Sequence, residues 1–284
     1  MQAGISDPGT ASGSRGVSGG NLTVSGGRSI SNNYHLDGTN IMDTENKAPS
    51  SAAGVQLGSD AVYQVQVFST TYSAEYGRGS GGVLNSITRS GSNEFHGSFF
   101  EYLRNSKLDA RNFFDYDPQN PTVRSQPPPF KRNQFGFTIT GPVVKDKTFF
   151  MASYEGLRDR LTSTDLSFFP DADSRLGRLT NAAGELIQTI QVDPRVKPYL
   201  DLYPIPNETR FGRGVGRNFA PQYEPTDENF ATFRVDQKIS DRDGLFGRYT
   251  FDDATGRGDS NNYIFTSVLK SRQQYLTVAG SHIF

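Results

Sequence analysis

The sequence contains no cysteine, which excludes a disulfide framework and a thiolate metal site. It also has no apolar run of about 18 residues, so no transmembrane helix is predicted. An excess of one charge is missing too, because 29 basic and 30 acidic residues leave a formal net charge of −1. Without a basic field nothing indicates a nucleic-acid partner. These absences leave a soluble protein and a β-barrel equally open.

The first residues, Met1–Pro8, show neither the basic start nor the apolar core of a secretory signal peptide. Because an exported protein would need one, we expect that this chain begins inside a longer protein. Residues 1–20 are rich in glycine and serine and are expected to form a flexible lead.

Two β-hairpins with short turns are predicted in the second half of the chain. The predicted strand, turn and strand are Asn133–Thr140, 141–147 and Thr148–Gly156 in the first hairpin, and Asn229–Ile239, 240–244 and Leu245–Asp252 in the second. Phe95–Arg104 and Gln273–Phe284 are further predicted strands, whose faces the sequence does not assign.

The four hairpin strands carry their charged residues on one face only. In the third of them, for example, Phe233 lies on the face opposite Arg234 and Asp236. A Lys or Arg facing lipid costs roughly 2–4 kcal/mol, so an uncharged face is typical of a membrane surface. Phe149 and Met151 depart from the pattern, because they fall on the presumed inner face.

Three long polar segments, 105–132, 157–228 and 253–271, lie before, between and after the hairpins. A compact domain rarely contains a structureless loop much beyond about 15 residues. Short turns at one end and long loops at the other are typical of outer-membrane β-barrels. The alternative is a soluble antiparallel sheet with one buried face, which produces the same alternation.

The N-terminal third predicts a different, smaller unit. A short helix is expected to open at Ser59 or Asp60 as N-cap. The predicted short strands are Asn21–Ser25 and Tyr34–Met42, arranged around a Gly26-Gly27 turn, and then Val65–Phe68 and Val83–Thr88.

Several motifs in this region and beyond resemble one known family. Leu36-Asp37-Gly38, Val65-Gln66-Val67, Ala74-Glu75-Tyr76-Gly77 and Gly81–Thr88 resemble the plug domain of TonB-dependent outer-membrane receptors, with Leu84 and Ser86 as mild departures. Further segments are similar to the Oar-like subgroup, namely Ser90–Ser98, Phe113–Asp115, Phe130–Gly136 and Gly141–Phe150.

The resemblance implies a mainly β fold, with a small α+β plug domain over 21–91 and antiparallel strands of a transmembrane β-barrel over 92–284. Members of the family have a plugged barrel of about 22 strands. We count about six strands after the plug, whereas closed barrels need at least about 8, so the barrel is expected to be incomplete.

The resemblance also implies a function. The protein would be part of a transporter in the outer membrane of a Gram-negative-type bacterium, taking up a large or scarce solute. Its partners would be outer-membrane lipid, an unknown ligand and the TonB complex of the inner membrane, although no TonB-contacting segment is recognisable. The alternative is a surface-exposed β-rich binding or adhesion protein, for which Arg257–Asp259, inside a Gly-Arg-Gly-Asp-Ser loop, is the one local indication.

No enzyme is predicted, and we assign no catalytic, cofactor-binding or metal-binding residue and no substrate contact. The glycine run Gly77–Gly82 lacks the Gly-Lys-Ser/Thr ending of a phosphate-binding loop, so a turn is expected there. Asp115–Asp117 and Asp171–Asp173 lack the glycine and distal glutamate of an EF-hand. The three histidines are scattered, and a hydrolase would have to depend on Asp37 or His96.

Overall fold

The computed structural model describes residues 5–6, 23–24, 26–28, 31–42, 49–53, 57–69, 72–77, 79–110, 116–117, 120–124, 129–207, 210–259 and 265–284. Strands dominate these residues. The helical elements are one turn of α-helix, α1 (Lys197–Leu200), and 3-10 turns at Ser59–Ala61, Ala74–Tyr76 and Ser174–Leu176. Among the described residues no helix has the length and apolarity to cross a membrane.

The N-terminal strands are β1 (Ile5–Ser6), β2 (Thr23–Val24), β3 (Asn33–Leu36), β4 (Thr39–Asn40), β5 (Val62–Phe68) and β6 (Val83–Thr88). The last four of them form a small mixed sheet, called the small sheet below. The sheet has the order β4-β3-β6-β5, in which β3 and β6 are parallel and the other pairs antiparallel. β1 and β2 form a separate two-stranded ladder.

The remaining long strands form one antiparallel meander, called the wall below. The strands that follow the small sheet are β7 (His96–Asn105), β8 (Tyr116–Asp117), β9 (Asn120–Arg124), β10 (Phe130–Val144), β11 (Thr148–Pro170), β12 (Arg178–Thr180), β13 (Leu186–Thr189), β14 (Arg210–Gly212), β15 (Val215–Lys238), β16 (Asp243–Asp259) and β17 (Thr266–His282). The wall has the order β7-β10-β11-β15-β16-β17, with β14 beside β15. Within the described residues β7 and β17 do not pair with each other, so the sheet is an open part of a barrel.

Both predicted hairpins are confirmed, and their turns are tight. Asp146 adopts the left-handed conformation with φ 63°, and the Lys147 amide donates to the Val144 carbonyl at 3.1 Å. In the second turn the Ser240 hydroxyl donates to the Asp243 carboxylate at 2.6 Å. That hydrogen bond lowers the pKa of Asp243 below its ordinary value.

The prediction that the long polar segments are loops is wrong over much of 157–228 and 253–271. β11 continues to Pro170 and pairs with β15 from Val215 onwards, so strands fill both ends of 157–228. β16 and β17 likewise extend into 253–271, and they pair as far as Asp259 and Thr266. Backbone hydrogen bonds continue where the apolar alternation ends, because strands above the lipid need no uncharged outer face.

Two predictions in the N-terminal third also need correction. The helix expected at Ser59 is a single 3-10 turn that Gly58 begins, without a side-chain cap, and β5 follows at once. The strand expected over Tyr34–Met42 is interrupted by a turn at Asp37 and Gly38, whose φ angles are 48° and 79°. β2 pairs with Ile5–Ser6 of the glycine-rich lead, most of which lies outside the described residues.

The predicted faces of the hairpin strands are confirmed. On the inner face Thr138 and Thr250 are buried, whereas the outward Phe137, Phe233 and Tyr249 are exposed. The wall therefore presents polar side chains to the small sheet and apolar ones to the outside.

The structure also assigns the faces of the outermost strands. In β17, Thr277 points inward, whereas Leu276 and Val278 are exposed on the outside. In β7 the register with Phe135 places Glu101 on the outer face, as an exception to the uncharged pattern.

Candidate functional site between the small sheet and the wall

The most polar contact between the small sheet and the wall is centred on Asp37, in the turn between β3 and β4. Its carboxylate forms ion pairs with two wall arginines, Arg234 at 3.3 Å and Arg248. The Thr88 amide and hydroxyl each donate to it at 2.8 Å. The side chains of Asp37, Arg234 and Arg248 are only 5%, 12% and 0% exposed, so the pairs lie away from solvent.

Further contacts balance the charge of this cluster. Arg234 also pairs with Asp236 at 2.7 Å, so two arginines face two carboxylates. Arg248 donates to the Thr277 hydroxyl at 2.8 Å, and that hydroxyl donates to Thr39 of the small sheet at 3.2 Å. Buried charges are tolerated when they are paired, and each charged residue in this arrangement has a partner of opposite charge. Below, these four charged residues are called the ionic cluster.

An apolar cluster lies farther along the same interface. Ala53, Leu57 and Ala61, from the segments before β5, pack against side chains of the wall. The wall residues are Met151, Leu157, Phe230 and Ala254. Met151 was one of the two exceptions in the predicted alternation, and its complete burial explains it, because it faces a second layer of protein and not water.

Glycines allow the two units to approach closely at two points. A Cβ on Gly58 would lie 2.3 Å from the Phe230 ring, and its φ of 94° also disfavours a side chain. A Cβ on Gly91 would lie 2.7 Å from the Gly141 carbonyl oxygen and 2.8 Å from Cβ of Phe149. Phe149, the second exception, is thus in contact with the segment that leads from the small sheet into β7.

Hydrogen bonds connect Ala52 and Gly58 to the wall. The Gly58 amide donates to the Glu155 carboxylate at 2.8 Å, and Gln134 of the wall donates to the other oxygen of that carboxylate at 2.6 Å. The Ala52 amide donates to the Ser271 hydroxyl at 2.7 Å. These two residues are therefore attached to two wall strands, β11 and β17, by bonds that can break without any covalent change.

A cavity of about 640 Å³ remains between the small sheet and the wall. Asp60, Thr88 and Arg89 line it from the small sheet, and His96 and Arg234 are among its wall residues. Most of its lining residues are polar or charged, so it could hold water or a polar solute.

The glycine run 77–82 forms a structural turn, as expected. The Gly81 amide donates to the Ser31 carbonyl at 2.9 Å and the Gly82 amide to the Asn32 side chain at 3.0 Å. Because these two amides donate hydrogen bonds within the chain, they are not available to bind a phosphate group. Arg78 lies outside the described residues.

The other candidate residues do not come together. His35 contacts Tyr76, His96 lies 4.0 Å from Glu94, and His282 pairs with Asp243. In the described part of the chain no three His, Asp or Glu residues are placed to bind a metal ion. The Asp171 carboxylate instead accepts a hydrogen bond from the Ser174 amide. Phe113–Asp115 lie outside the described residues.

The adhesion-like motif is not a free loop. Arg257 and Asp259 lie in β16 and pair with Val268 and Thr266 of β17, which corrects the expectation of a polar loop at this position. Ser260 lies outside the described residues.

Comparison with known proteins agrees with this architecture. Residues 87–284 match the model of the family described as outer membrane beta barrel domain. The TonB-dependent transporter Oar of Myxococcus xanthus is 32% identical over 133 residues, which are 47% of this chain and 12% of Oar.

Two solved structures share the fold at 14% identity. The outer membrane transporter YddB of Escherichia coli has a TM-score of 0.56 and is matched over 93% of this chain and 30% of its own. A mutant of the ferric enterobactin receptor PfeA of Pseudomonas aeruginosa, in complex with enterobactin, has a TM-score of 0.51 over 93% of this chain and 32% of its own.

This chain thus spans about a third or less of the proteins that it matches. The family match covers the whole wall, and the outer face of the two hairpins in the wall is uncharged, as lipid requires. The chain belongs to the outer membrane β-barrel domain family and is a protein of the outer membrane.

Proposed function

We propose that this chain is part of a TonB-dependent transporter in which the small sheet is the plug. Residues 21–91 would form that plug domain and residues 92–284 the first strands and outer loops of the barrel. The complete protein would take up a large or scarce solute, with energy supplied through the TonB complex. It would break no bond of that solute.

The observation that carries this proposal is the placement of the small sheet against the inner face of the wall. The contacts are non-covalent, and most of them are polar, as with the ionic cluster. Water can hydrate the two sides of an interface made of hydrogen bonds and ion pairs when they separate, whereas an entirely apolar interface resists exposure to water. A plug must be stable in the closed state and still be able to move, and this interface suits both demands.

Uptake by the full-length protein tests the function. A strain that lacks the gene is compared with its parent for uptake of ferric siderophores, vitamins, oligosaccharides and peptides, with and without a protonophore. We expect the deletion to abolish uptake of one class, and the protonophore to have the same effect on the parent. Cells that bind a solute at the surface but show the same uptake with and without the gene would support the adhesion alternative.

A disulfide across the interface tests the role of the small sheet. The Thr39 and Thr277 hydroxyl oxygens are 3.2 Å apart, which suits a Thr39→Cys/Thr277→Cys bridge. Oxidation should block uptake and reduction should restore it. The matched control is Thr232→Cys/Thr250→Cys, whose hydroxyls are 2.9 Å apart within the wall and do not cross the interface. Equal uptake by both oxidised variants would show that the small sheet need not move.

A further inference from the structure

The interface contains a second buried polar group, which the ionic cluster does not reach. Glu228 of β15 and Asp252 of β16 are 0% and 2% exposed. None of their four carboxylate oxygens accepts a hydrogen bond from the described residues. Below, these two residues are called the acidic pair.

Among the described residues no basic side chain pairs with either carboxylate of the acidic pair. Arg158 of β11 donates to the Glu228 carbonyl at 2.8 Å, but its ion pair is with Asp227. The charged groups that act on the Glu228 carboxylate are Asp252 and, from β11, Glu155, both of them acidic. Asp253 lies next in β16 and pairs with Arg272 at 2.8 Å, so that arginine is already engaged. From the segment before β5, the Ser51 hydroxyl lies beside Glu228 and is uncharged.

Two ionised carboxylates in such a place would be costly, because each would lose its hydration and repel the other. Glu228 and Asp252 are buried diagonal neighbours in the β15–β16 register, so their carboxyl groups can share a hydrogen bond if one of them carries the hydrogen. A metal ion is the other means of neutralising them, but in the part of the chain that the structure describes they belong to no group of three potential ligands. A proton is therefore the simpler counter-charge.

We propose that Glu228 and Asp252 share a proton while segment 49–53 is seated on the wall, and that loss of this proton releases the segment. Ser51 places segment 49–53 beside the pair. The Ala52 amide donates to the Ser271 hydroxyl and Gln273 donates to the Ser50 carbonyl at 2.5 Å, and these bonds hold the segment there. When the proton leaves, two adjacent negative charges draw in water, and the segment that excludes water must open. The interface is then closed at low pH and opens as the pH rises.

Only the biological role of this proton rests on the proposed function of the small sheet as a plug. Seating of segment 49–53 can be measured in the purified full-length protein whether or not it transports anything. The two proposals can therefore fail separately.

The experiment measures the accessibility of Ala53→Cys, a position that is buried at 6% exposure. The chain has no cysteine of its own, so maleimide labelling can be read from this thiol once any cysteine in the rest of the protein has been replaced. Rates between pH 5 and pH 9 are divided by those of the exposed Ala172→Cys, which removes the intrinsic pH dependence of the thiolate. We expect the normalised rate to rise about tenfold per pH unit over the range in which one proton is lost.

Glu228→Gln removes the proton-dependent charge and should keep the normalised rate low at every pH. Asp252→Asn should do the same, and it serves as the second variant if the first does not fold. A rise with pH that is unchanged in both variants would overturn the proposal. So would a normalised rate that follows added Ca²⁺ or EDTA and not pH, because a cation would then neutralise the pair.

Discussion

The ionic cluster and the acidic pair occupy the same interface but treat buried charge in opposite ways. In the ionic cluster two arginines meet two carboxylates, and Thr88 and Thr277 add hydrogen bonds. In the acidic pair two carboxylates meet each other, and no basic side chain of the described residues pairs with them. The first is stable as ionised groups, whereas the second requires a proton. The comparison indicates that a single interface can have one part that is insensitive to pH and one part that is not.

The largest effect should come from leaving buried charge unpaired in the ionic cluster. Asp37→Asn removes the carboxylate between Arg234 and Arg248 but retains a residue that tolerates positive φ. Loss of one partner from a buried ion pair costs about 3–5 kcal/mol. We expect a destabilisation of that order in urea titrations of the full-length protein in detergent, followed by a fluorophore on the small sheet. An unchanged midpoint would show that the ionic cluster does not hold the small sheet.

A somewhat smaller effect is expected from the apolar cluster at the same interface. Met151→Ala leaves a void where a fully buried side chain contacts the small sheet, and such truncations cost about 2–5 kcal/mol. The same urea titration measures it. If the variant changes the pH dependence of Ala53→Cys labelling as well, then the apolar cluster and the acidic pair are coupled.

The two faces of β15 provide the next test. Phe233→Arg places a charge on the outer face beside the inward Arg234, and at mid-bilayer this costs about 2–4 kcal/mol. Tyr223→Arg makes the same change at an exposed position in the extended part of β15 and should lie within about 0.5 kcal/mol of the parent. Both are measured by urea unfolding of the full-length protein in lipid vesicles. Equal losses would mean that lipid also covers the extension.

The smallest effect should come from an exposed ion pair. Lys238 and Asp241 are 2.6 Å apart in the turn between β15 and β16, with exposed side chains. The Lys238 ammonium lowers the pKa of Asp241. Exposed pairs contribute little, so Lys238→Ala should leave the urea midpoint unchanged within error. A clear loss would indicate that this turn contacts a further part of the protein.

Much of the wall could be predicted from alternation alone, since a membrane requires an uncharged outer face. The faces of Phe233 and Arg234 follow from their spacing. The ends of the strands could not be predicted in this way. Beyond Leu157 and Glu228 the ladder continues to Pro170 and Val215 without a continuous apolar outer face. The apolar alternation therefore ends before the hydrogen-bonded strands do.

The sequence indicated the candidate site only through residues that broke the predicted alternation. Met151 and Phe149 broke the alternation because they contact a second layer of protein, which no local pattern reveals. Arg248 could be placed on the inner face, but its partner Asp37 is 211 positions away in the chain.

The sequence by itself determined the class of fold, the outer face and the two hairpins, because these depend on neighbours one or two residues apart. Only the tertiary structure decided which inner charges are paired and which are not. Asp37 meets two arginines because the turn between β3 and β4 lies against β15 and β16. Glu228 and Asp252 meet each other because the register of β15 and β16 makes them neighbours on the inner face of the wall. Pairing of buried charge depends on such long-range placement, and residue spacing does not encode it.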